Sequence, residues 1–493
     1  MSLLQITNLT FGYEGSFDNV FENVSVSLDS DWRLGLTGRN GRGKTTLLRL
    51  LMGEYPYTGR IEASQPFNYF PYPVTSPERP AGEIAAELAP EAADWQIRRE
   101  FGRLGLDEGV LWQPFCTLSN GEQTKALLAA LFLRQDRFLL IDEPTNHLDA
   151  AGRALVAAYL RGKQGFLLVS HDRAFLDGCV DHMMAIEKTG ITVRQGNFTS
   201  WWENEQRRTA SEQAQNERLK KEIGRLHEAA GRASRWSDKA EKAKFATRNS
   251  GLRADRGYVG HKAAKMMARA KAIEARKEAA AEEKSGLLKN VEHAPALALS
   301  AMPARQNRLV ELRALRIYYG DTCACGPVDL LVRPGERVAL CGGNGCGKST
   351  LLHLIEGQNL RYTGELWRAG GLVLSRVAQN AEGLQGSVIG YARACGVDET
   401  QFLTILRKFD FRRAQFEKDM ASFSAGQKKK VLLARSLCER AQLYIWDEPL
   451  NYIDVFSRMQ IEALILQYQP TLLFVEHDRT FCEHIATRSL ALD

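Results

Sequence analysis

Three kinds of hydrophobic patterning divide this chain. Short apolar runs without alternation recur toward both ends: Phe138-Leu139-Leu140-Ile141, Gly165-Phe166-Leu167-Leu168-Val169 and Thr471-Leu472-Leu473-Phe474-Val475. An uninterrupted apolar strand is one buried on both faces, as in a parallel sheet covered by helices. Stretches of helical character, Glu122–Leu133 and Gln427–Leu437, lie among these runs. Such strand–helix alternation predicts a layered α/β core. The middle of the chain differs. No proline occurs from Trp201 to Ala294, and Ala, Glu, Lys, Arg and Gln dominate. That composition favours long helices. Asn249-Ser250-Gly251, Gly257 and Gly260 interrupt it. Two helices are therefore predicted, near 200–246 and 260–288, joined by a tip near 244–262. A helix of about 45 residues at ~1.5 Å per residue reaches nearly 70 Å, so the tip is expected to project.

The two outer segments repeat the same words in the same order. Gly38-Arg39-Asn40-Gly41-Arg42-Gly43-Lys44-Thr45 recurs as Gly342-Gly343-Asn344-Gly345-Cys346-Gly347-Lys348-Ser349. Leu118-Ser119-Asn120-Gly121-Glu122-Gln123 recurs as Phe423-Ser424-Ala425-Gly426-Gln427, and Asp142-Glu143-Pro144 as Asp447-Glu448-Pro449. Ser170-His171-Asp172-Arg173 recurs as Glu476-His477-Asp478-Arg479. The offset stays between 304 and 306 across all four, which chance matches would not hold. The chain therefore reads as two homologous α/β domains, 1–198 and 306–493, joined by a helical linker, 199–305.

Charge sharpens this division. The 493 residues carry a net +6, which alone says little. Residues 201–292 hold 22 Lys+Arg against 14 Asp+Glu, and 232–271 hold 12 against 3, so the remainder is slightly acidic. Trp236, Phe245 and Tyr258 are interleaved with the basic residues. A solvated spacer would balance its charges through Glu–Lys pairs. A basic tip with aromatics instead fits RNA, whose phosphates attract cations and whose unpaired bases stack. Candidate RNA contacts are Lys242, Lys244, Phe245, Arg248, Arg253, Arg256, Tyr258 and Lys262.

Composition removes other classes. Ala126–Leu133, one of the longest apolar runs, has eight residues, where a spanning helix needs about 18–20. Met1–Gln5 lacks a charged and apolar leader pattern, so no secretory signal is expected. Nine scattered cysteines, with no CxxC pair, argue for reduced thiols rather than a disulfide frame or a zinc site.

The recurring words carry chemistry. Each G-x-x-x-x-G-K-[ST] follows a strand-like run (Trp32–Leu36, Arg337–Cys341) and precedes a helix (Thr46–Leu51, Thr350–Ile355), the setting of a phosphate-binding loop. Glycines let the backbone wrap a phosphate chain, and the helix presents its positive end. Candidate nucleotide contacts are Gly38, Asn40, Gly41, Gly43, Lys44, Thr45 and Thr46, with Gly342, Asn344, Gly345, Gly347, Lys348, Ser349 and Thr350 in the second half. Lys44 and Lys348 would hold the β/γ-phosphates, while Thr45 and Ser349 would ligate Mg²⁺. Asp142 and Asp447 end apolar runs and could hold a Mg²⁺-bound water. The adjacent Glu143 and Glu448 are candidate general bases. His171 and His477 could each contact a γ-phosphate.

The doubled set resembles tandem ATP-binding-cassette nucleotide-binding domains. Leu118–Gln123 and Phe423–Gln427 resemble the signature motif of that superfamily. Asn146-His147-Leu148-Asp149 and Asn451-Tyr452-Ile453-Asp454 resemble its D-loop, and His171 and His477 its switch histidine. The resemblance implies an intramolecular head-to-tail cassette dimer in a monomer. Lys44 would share one ATP with Ser424-Ala425-Gly426, and Lys348 another with Ser119-Asn120-Gly121. Tyr13 and Tyr319 would stack on adenine. Gln379 matches the Q-loop, a further Mg²⁺ contact, in the second half. Phe67-Asn68-Tyr69-Phe70-Pro71 offers no glutamine in the first. Tyr452 replaces His147, and neither signature is a plain LSGGQ. Both glutamates are present, so both sites are expected to hydrolyse ATP, with room for unequal rates.

A cassette pair with a long basic linker and no membrane domain resembles the ABC-F translation factors. Gln195-Gly196-Asn197-Phe198, followed by Trp202, resembles that family's entry into the linker. The segments Leu3–Arg49, Asp255–Lys277 and Asp447–Asp454 are most similar to Lsa-type antibiotic-resistance members. The family resemblance implies a cytoplasmic ATPase that binds the ribosomal E site and extends its linker toward P-site tRNA and 23S rRNA. The Lsa-type likeness adds protection from lincosamides, streptogramin A and pleuromutilins. The spacing from Lys44 to Ser119 leaves no room for an arm insertion, and Asp493 follows His477 by sixteen residues, so no C-terminal extension is expected. A housekeeping ABC-F factor, a DNA-repair ATPase and a transporter ATPase are the alternatives.

Overall fold

The computed structural model describes residues 3–245 and 301–492, apart from 15–18, 135, 147, 188, 189, 305, 344, 382, 410 and 412, together with 265, 268, 272, 275–277 and 299. Within the long helix, side chains are described as far as Arg225 and at Glu228. Two compact units result: Met1–Trp201 with Ala294–Asp493, and Trp202–His293.

The first unit contains the same architecture twice. In its N-terminal half, β1 (Leu3–Phe11), β2 (Phe21–Asp29) and β4 (Thr58–Ala63) form an antiparallel sheet ordered β2-β1-β4. A second sheet runs β5-β6-β7-β3-β8-β9, from β3 (Arg33–Thr37), β5 (Phe67–Phe70), β6 (Phe138–Asp142), β7 (Phe166–Val169), β8 (His182–Glu187) and β9 (Gly190–Gln195). The C-terminal half repeats both sheets. The antiparallel one comprises β10 (Val310–Tyr319), β11 (Thr322–Val332) and β13 (Arg361–Arg368). The parallel one is ordered β14-β15-β16-β12-β17, from β12 (Arg337–Cys341), β14 (Leu374–Val377), β15 (Leu443–Asp447), β16 (Leu472–Val475) and β17 (Arg488–Ala491).

The three uninterrupted apolar runs are the central strands β6, β7 and β16; these and β15, a fourth run of the same kind, are buried along nearly their whole length. Each pairs in parallel with its neighbours. Asp142 and Asp447 therefore emerge at the same edge of their sheets, beside the loops that follow β3 and β12.

Several helices begin two residues before the predicted start. Lys44–Leu51 and Lys348–Glu356 start at the loop lysine itself, behind left-handed Gly43 (φ 94°) and Gly347 (φ 86°). A Cβ on Gly347 would come within 2.4 Å of the Ala324 carbonyl, so only glycine fits there. Asn120–Phe132 and Ala425–Cys438 begin directly after Ser119 and Ser424. Each serine accepts the N–H of the residue three positions on, at 3.3 Å, while Glu122 and Gln427 reach back to the serine N–H at 2.9 and 3.0 Å. These are reciprocal capping boxes, which a reading based on hydrophobic periodicity alone does not show.

The second unit continues the 48-residue helix Phe198–Phe245, where a helix was predicted near 200–246. The predicted tip and most of the second linker helix lie outside the described residues; 265, 268, 272 and 275–277 are helical.

Candidate functional site: two ATP sites

The first phosphate loop holds its lysine inside a ring of oxygens. Lys44 is buried, and Nζ donates to the Gly38 carbonyl at 2.7 Å and to Asn40 Oδ1 at 3.3 Å. Burial lowers its pKa, opposed by the Asp454, Glu143 and Asp142 charges. Thr45 Oγ1 donates to Asp142 Oδ2 at 3.0 Å, and the Tyr69 hydroxyl donates to the same oxygen at 3.0 Å. Burial raises the Asp142 pKa in spite of these bonds. The Tyr13 hydroxyl lies 2.8 Å from Thr46 Oγ1, and its half-exposed ring packs edge-on against Phe11 and Tyr55. Gly41 borders open space: a Cβ there would meet no atom within 4 Å.

Glu143 and Glu448 have φ of 51° and 45°, a conformation that is uncommon for residues other than glycine. Both sit one residue after the strand-terminal aspartate, where alternation would otherwise reverse the side-chain direction. Glu143 Oε1 lies 3.2 Å from His171 Nε2 yet outside hydrogen-bond geometry, leaving a buried oxygen without a partner. Burial and the neighbouring Asp142 push the Glu143 pKa up to about 8, against the Arg458 and Lys44 charges. Burial holds the His171 pKa well below normal, with the Lys44 and Arg458 charges adding to the effect.

The second site repeats this plan with different partners. Lys348 Nζ donates to the Gly342 and Gly343 carbonyls at 2.9 and 2.7 Å. Burial raises the Asp447 pKa, while a hydrogen bond from Ser349 lowers it; Asp447 Oδ1 is buried without a partner. Burial alone would raise Glu448, but hydrogen bonds from His477 and Gln379 outweigh it and hold the carboxyl at about 2. Asn451 Nδ2 also donates to Glu448 Oε2 at 2.5 Å. Tyr319 is exposed at the end of β10. Asn344 and His147 lie outside the described residues.

The halves meet at the first site. A cavity of about 480 Å³ is lined by Asn40, Gly41, Glu143, Asn146 and His171 from one half, and by Phe411, Ser424, Gly426, Lys430 and Tyr452 among others from the other. Asn40 Nδ2 donates across the boundary to the Tyr452 carbonyl at 3.2 Å. A Cβ on Gly426 would meet that same carbonyl at 2.7 Å, which accounts for glycine in the signature. Arg173 donates to Glu462 of the other half at 2.6 Å, and Glu462 Oε1 lies 2.5 Å from His484 Nδ1. Ser119 and Gly121 stand at the start of helix Asn120–Phe132, and Thr350 lies in the first turn of Lys348–Glu356.

Strand register locates the missing glutamine. Phe70 pairs with Ile141 and Val377 with Trp446, so Tyr72 occupies the place of Gln379. In the first half Tyr69, not a glutamine, reaches the aspartate. Thr124 likewise stands where the second half has Lys429. That buried lysine donates to the Ala378, Gln379 and Asp447 carbonyls at 2.7, 3.0 and 3.1 Å, and burial lowers its pKa to about 8.

Sequence reading also passed over a pair of struts. Arg153 donates to the Leu148 carbonyl and to Asp172, both at 3.0 Å. Arg458 donates to the Ile453 carbonyl at 2.9 Å and to Asp478 at 3.1 Å. Each arginine fastens its D-loop to the residue after the switch histidine. The signal was present: both arginines stand four residues after a repeated aspartate, 305 positions apart.

These features fit a nucleotide and a divalent cation. Glycine-lined loops leave open space, buried carboxylate oxygens lack partners, and lysine ammoniums rest on carbonyls that phosphates can replace. Two such sites, the first of them facing the helix headed by capped Ser424, define a tandem nucleoside-triphosphatase.

Comparison with known proteins gives the family. The family model described as ABC transporter matches residues 21–146 and 325–451. The chain belongs to that ATP-binding-cassette family, and its relatives are ABC-F proteins; it is an ATPase. The ribosome protection protein VmlR of Bacillus subtilis is 27% identical over 99% of this chain and 86% of its own length. The ATP-binding protein Uup of Caulobacter vibrioides is 29% identical, covering 96% of this chain and 75% of that protein. The energy-dependent translational throttle protein EttA of Escherichia coli K12 is 25% identical, covering 96% and 89%. Among solved structures, the archaeal ribosome recycling factor aABCE1, in complex with stalk protein aP1, has a TM-score of 0.62 at 18% identity, covering 98% of this chain and 87% of that one. Its likeness is one of fold. Among the described residues, no helix is long and apolar enough to cross a membrane.

Proposed function

We propose that this protein is a cytoplasmic ribosome-binding translation factor that protects the peptidyl-transferase centre from lincosamides, streptogramin A and pleuromutilins. The observation that carries the ATP-driven part is the cavity in which Asn40, Glu143 and His171 of one cassette face Ser424, Gly426 and Tyr452 of the other. The likeness to a ribosome protection protein along nearly the whole chain supports the ribosomal part.

In this reading Lys44 and Lys348 exchange their carbonyl partners for phosphate oxygens. Thr45 with Asp142, and Ser349 with Asp447 and Gln379, would hold Mg²⁺, which supplies charge neutralisation to the phosphate chain. Glu143 and Glu448 take the proton of the attacking water; His477 orients Glu448, and His171 stands 3.2 Å from Glu143. Ser424 and Gly426 bring the N-terminus of a helix to the first site, and Ser119 with Gly121 do so at the second. Closure of the cassettes fits the protein to the E site. The linker tip, with Lys242, Lys244, Phe245, Arg248, Arg253, Arg256, Tyr258 and Lys262, contacts 23S rRNA and P-site tRNA and dislodges the drug. The side chains of the first three, and the other five residues entirely, lie outside the described residues.

The Glu143→Gln/Glu448→Gln variant is expected to co-sediment with ribosomes in ATP and to release poorly. Absence from the ribosomal pellet would overturn the reading. The resemblance to a translational throttle protein favours one second reading, a housekeeping factor that relieves stalled ribosomes. Expression in a susceptible host separates the two: unchanged lincosamide and pleuromutilin sensitivity selects the housekeeping role.

A further inference from the structure

The two sites hold their strand-terminal aspartates differently, and the difference begins in β5 and β14. Tyr69 pairs with Leu140, two residues before Asp142, and Arg376 pairs with Ile445, two residues before Asp447. One position of the fold thus carries a tyrosine in the first cassette and an arginine in the second. Arg376 turns to a glutamate, its Nε lying 3.0 Å from Glu356 Oε1. Counted from the loop lysines, Met52 stands in the place of Glu356, so the first cassette offers no carboxylate there.

Tyr69 instead serves the aspartate. Its hydroxyl donates to Asp142 Oδ2 at 3.0 Å, the same oxygen that accepts from Thr45 Oγ1 at 3.0 Å. The ring is half-buried and packs against the core that contains Leu47 and Leu140, which holds the hydroxyl in place. The bond is not needed to join the strands, because β5 already pairs with β6 from Phe67 to Phe70. Tyr72, in the place of Gln379, is exposed. The cassettes therefore fix opposite members of the Asp–Glu pair. The first gives Asp142 two donors and leaves Glu143 Oε1 without a partner. The second bonds Glu448 to Asn451, His477 and Gln379 and leaves Asp447 Oδ1 without one.

We propose that Tyr69 is a positioning residue of the first ATP site, whose hydroxyl sets, through Asp142, the grip on the nucleotide-bound divalent cation where the second site relies on Gln379. A carboxylate held by Thr45 alone can swing about its Cβ–Cγ bond. A second donor on the same oxygen fixes its plane, and Tyr69 does so from outside the metal's own ligands. Losing an outer donor of this kind typically costs about 10–100-fold in metal affinity or activity. The inference rests on the reading that Thr45 and Asp142 hold Mg²⁺.

The test reads the cation directly, in the full chain. Ser349→Ala/Asp447→Asn removes the ligands of the second site. Mn²⁺ titrated with a non-hydrolysable ATP analogue, and followed by electron paramagnetic resonance, then reports the first. Adding Tyr69→Phe, which removes one oxygen and keeps the ring, is expected to weaken Mn²⁺ binding roughly tenfold. In the converse chain, Thr45→Ala/Asp142→Asn, the same substitution is expected to leave Mn²⁺ binding unchanged. With Glu448→Gln silencing the second site, Tyr69→Phe is expected to raise the Mg²⁺ concentration for half-maximal turnover by a larger factor than it lowers turnover at saturating Mg²⁺. Unchanged Mn²⁺ affinity at the first site, or an equal loss in both chains, overturns the role of Tyr69 and leaves the metal reading intact. A first site that binds no Mn²⁺ before Tyr69 is altered overturns the assignment of Thr45 and Asp142 first, and this inference with it.

Discussion

At the scale of single residues, the two sites share a plan and differ in how each glutamate is held. Glu448 is oriented by Asn451, His477 and Gln379, whereas Glu143 keeps a buried oxygen without a partner. A base already fixed in position loses less to misorientation. Glu448→Gln is therefore expected to remove more of the steady-state turnover than Glu143→Gln, measured as phosphate release under saturating ATP. Glu100 gives a prediction in pH. Burial would raise it, but bonds from Lys163 and Tyr159 hold its pKa below 4.5. A carboxyl whose folded pKa is depressed stabilises fully above its unfolded value and loses that stabilisation as pH falls through the folded one. The melting temperature of the full chain should therefore fall below pH 4.5, and Glu100→Gln should flatten the fall. The repeated words could point to the lysines, aspartates and glutamates, because these are fixed by chemistry at set spacings. Tyr69 and Lys429 carry no such spacing, and Arg173, which recurs as Arg479, meets a partner outside every repeated word. Their roles depend on what the fold brings beside them.

Among elements, the clearest difference between expectation and structure concerns helix starts. Periodicity marks where an apolar face begins, but Ser119 and Ser424 begin their helices earlier by satisfying free N–H groups. The strand assignments were easier, because burial on both faces writes itself into the sequence as an unbroken run. Lys429 illustrates a contact that no pattern announces, since a lysine inside a basic run reads as surface. It joins the ends of β14 and β15 through three carbonyls. Lys429→Met would leave those acceptors buried and unpaired, at a cost on the order of 3 kcal/mol. It should lower the denaturation midpoint and impair the second site more than the first; turnover in the Glu143→Gln background reads the latter. The arginine struts predict coupling between loops. Arg458→Leu should disturb the Tyr452 carbonyl at the first site while leaving Lys348 in place. Its signature would be a loss of cooperativity in ATP that Arg458→Lys only partly restores.

Across the whole molecule, duplication was legible because four words kept a constant offset, and the linker because charge and proline content changed together. The resemblance implied that the halves meet, but the ion pair between them was not legible. It joins Arg173, in a repeated word, to Glu462, in none, and the pair has no counterpart, since Arg479 bonds Glu483 within its own helix and Ala157 stands in the place of Glu462. Both partners are buried, so salt screens the pair weakly, and removing one leaves a buried charge. Glu462→Gln should weaken engagement of the halves, seen as a higher ATP concentration for half-maximal turnover. Gly426→Ala should do so more severely, because its methyl would strike the Tyr452 carbonyl.

That carbonyl belongs to a residue only four positions after Glu448. One short stretch of backbone thus carries Glu448 of one site and touches the phosphate loop of the other. A shift of that segment at either site is expected to be felt at the other. Occupancy of one site is therefore expected to alter turnover at the other, measured as cooperativity in ATP that a substitution at Asn40 weakens.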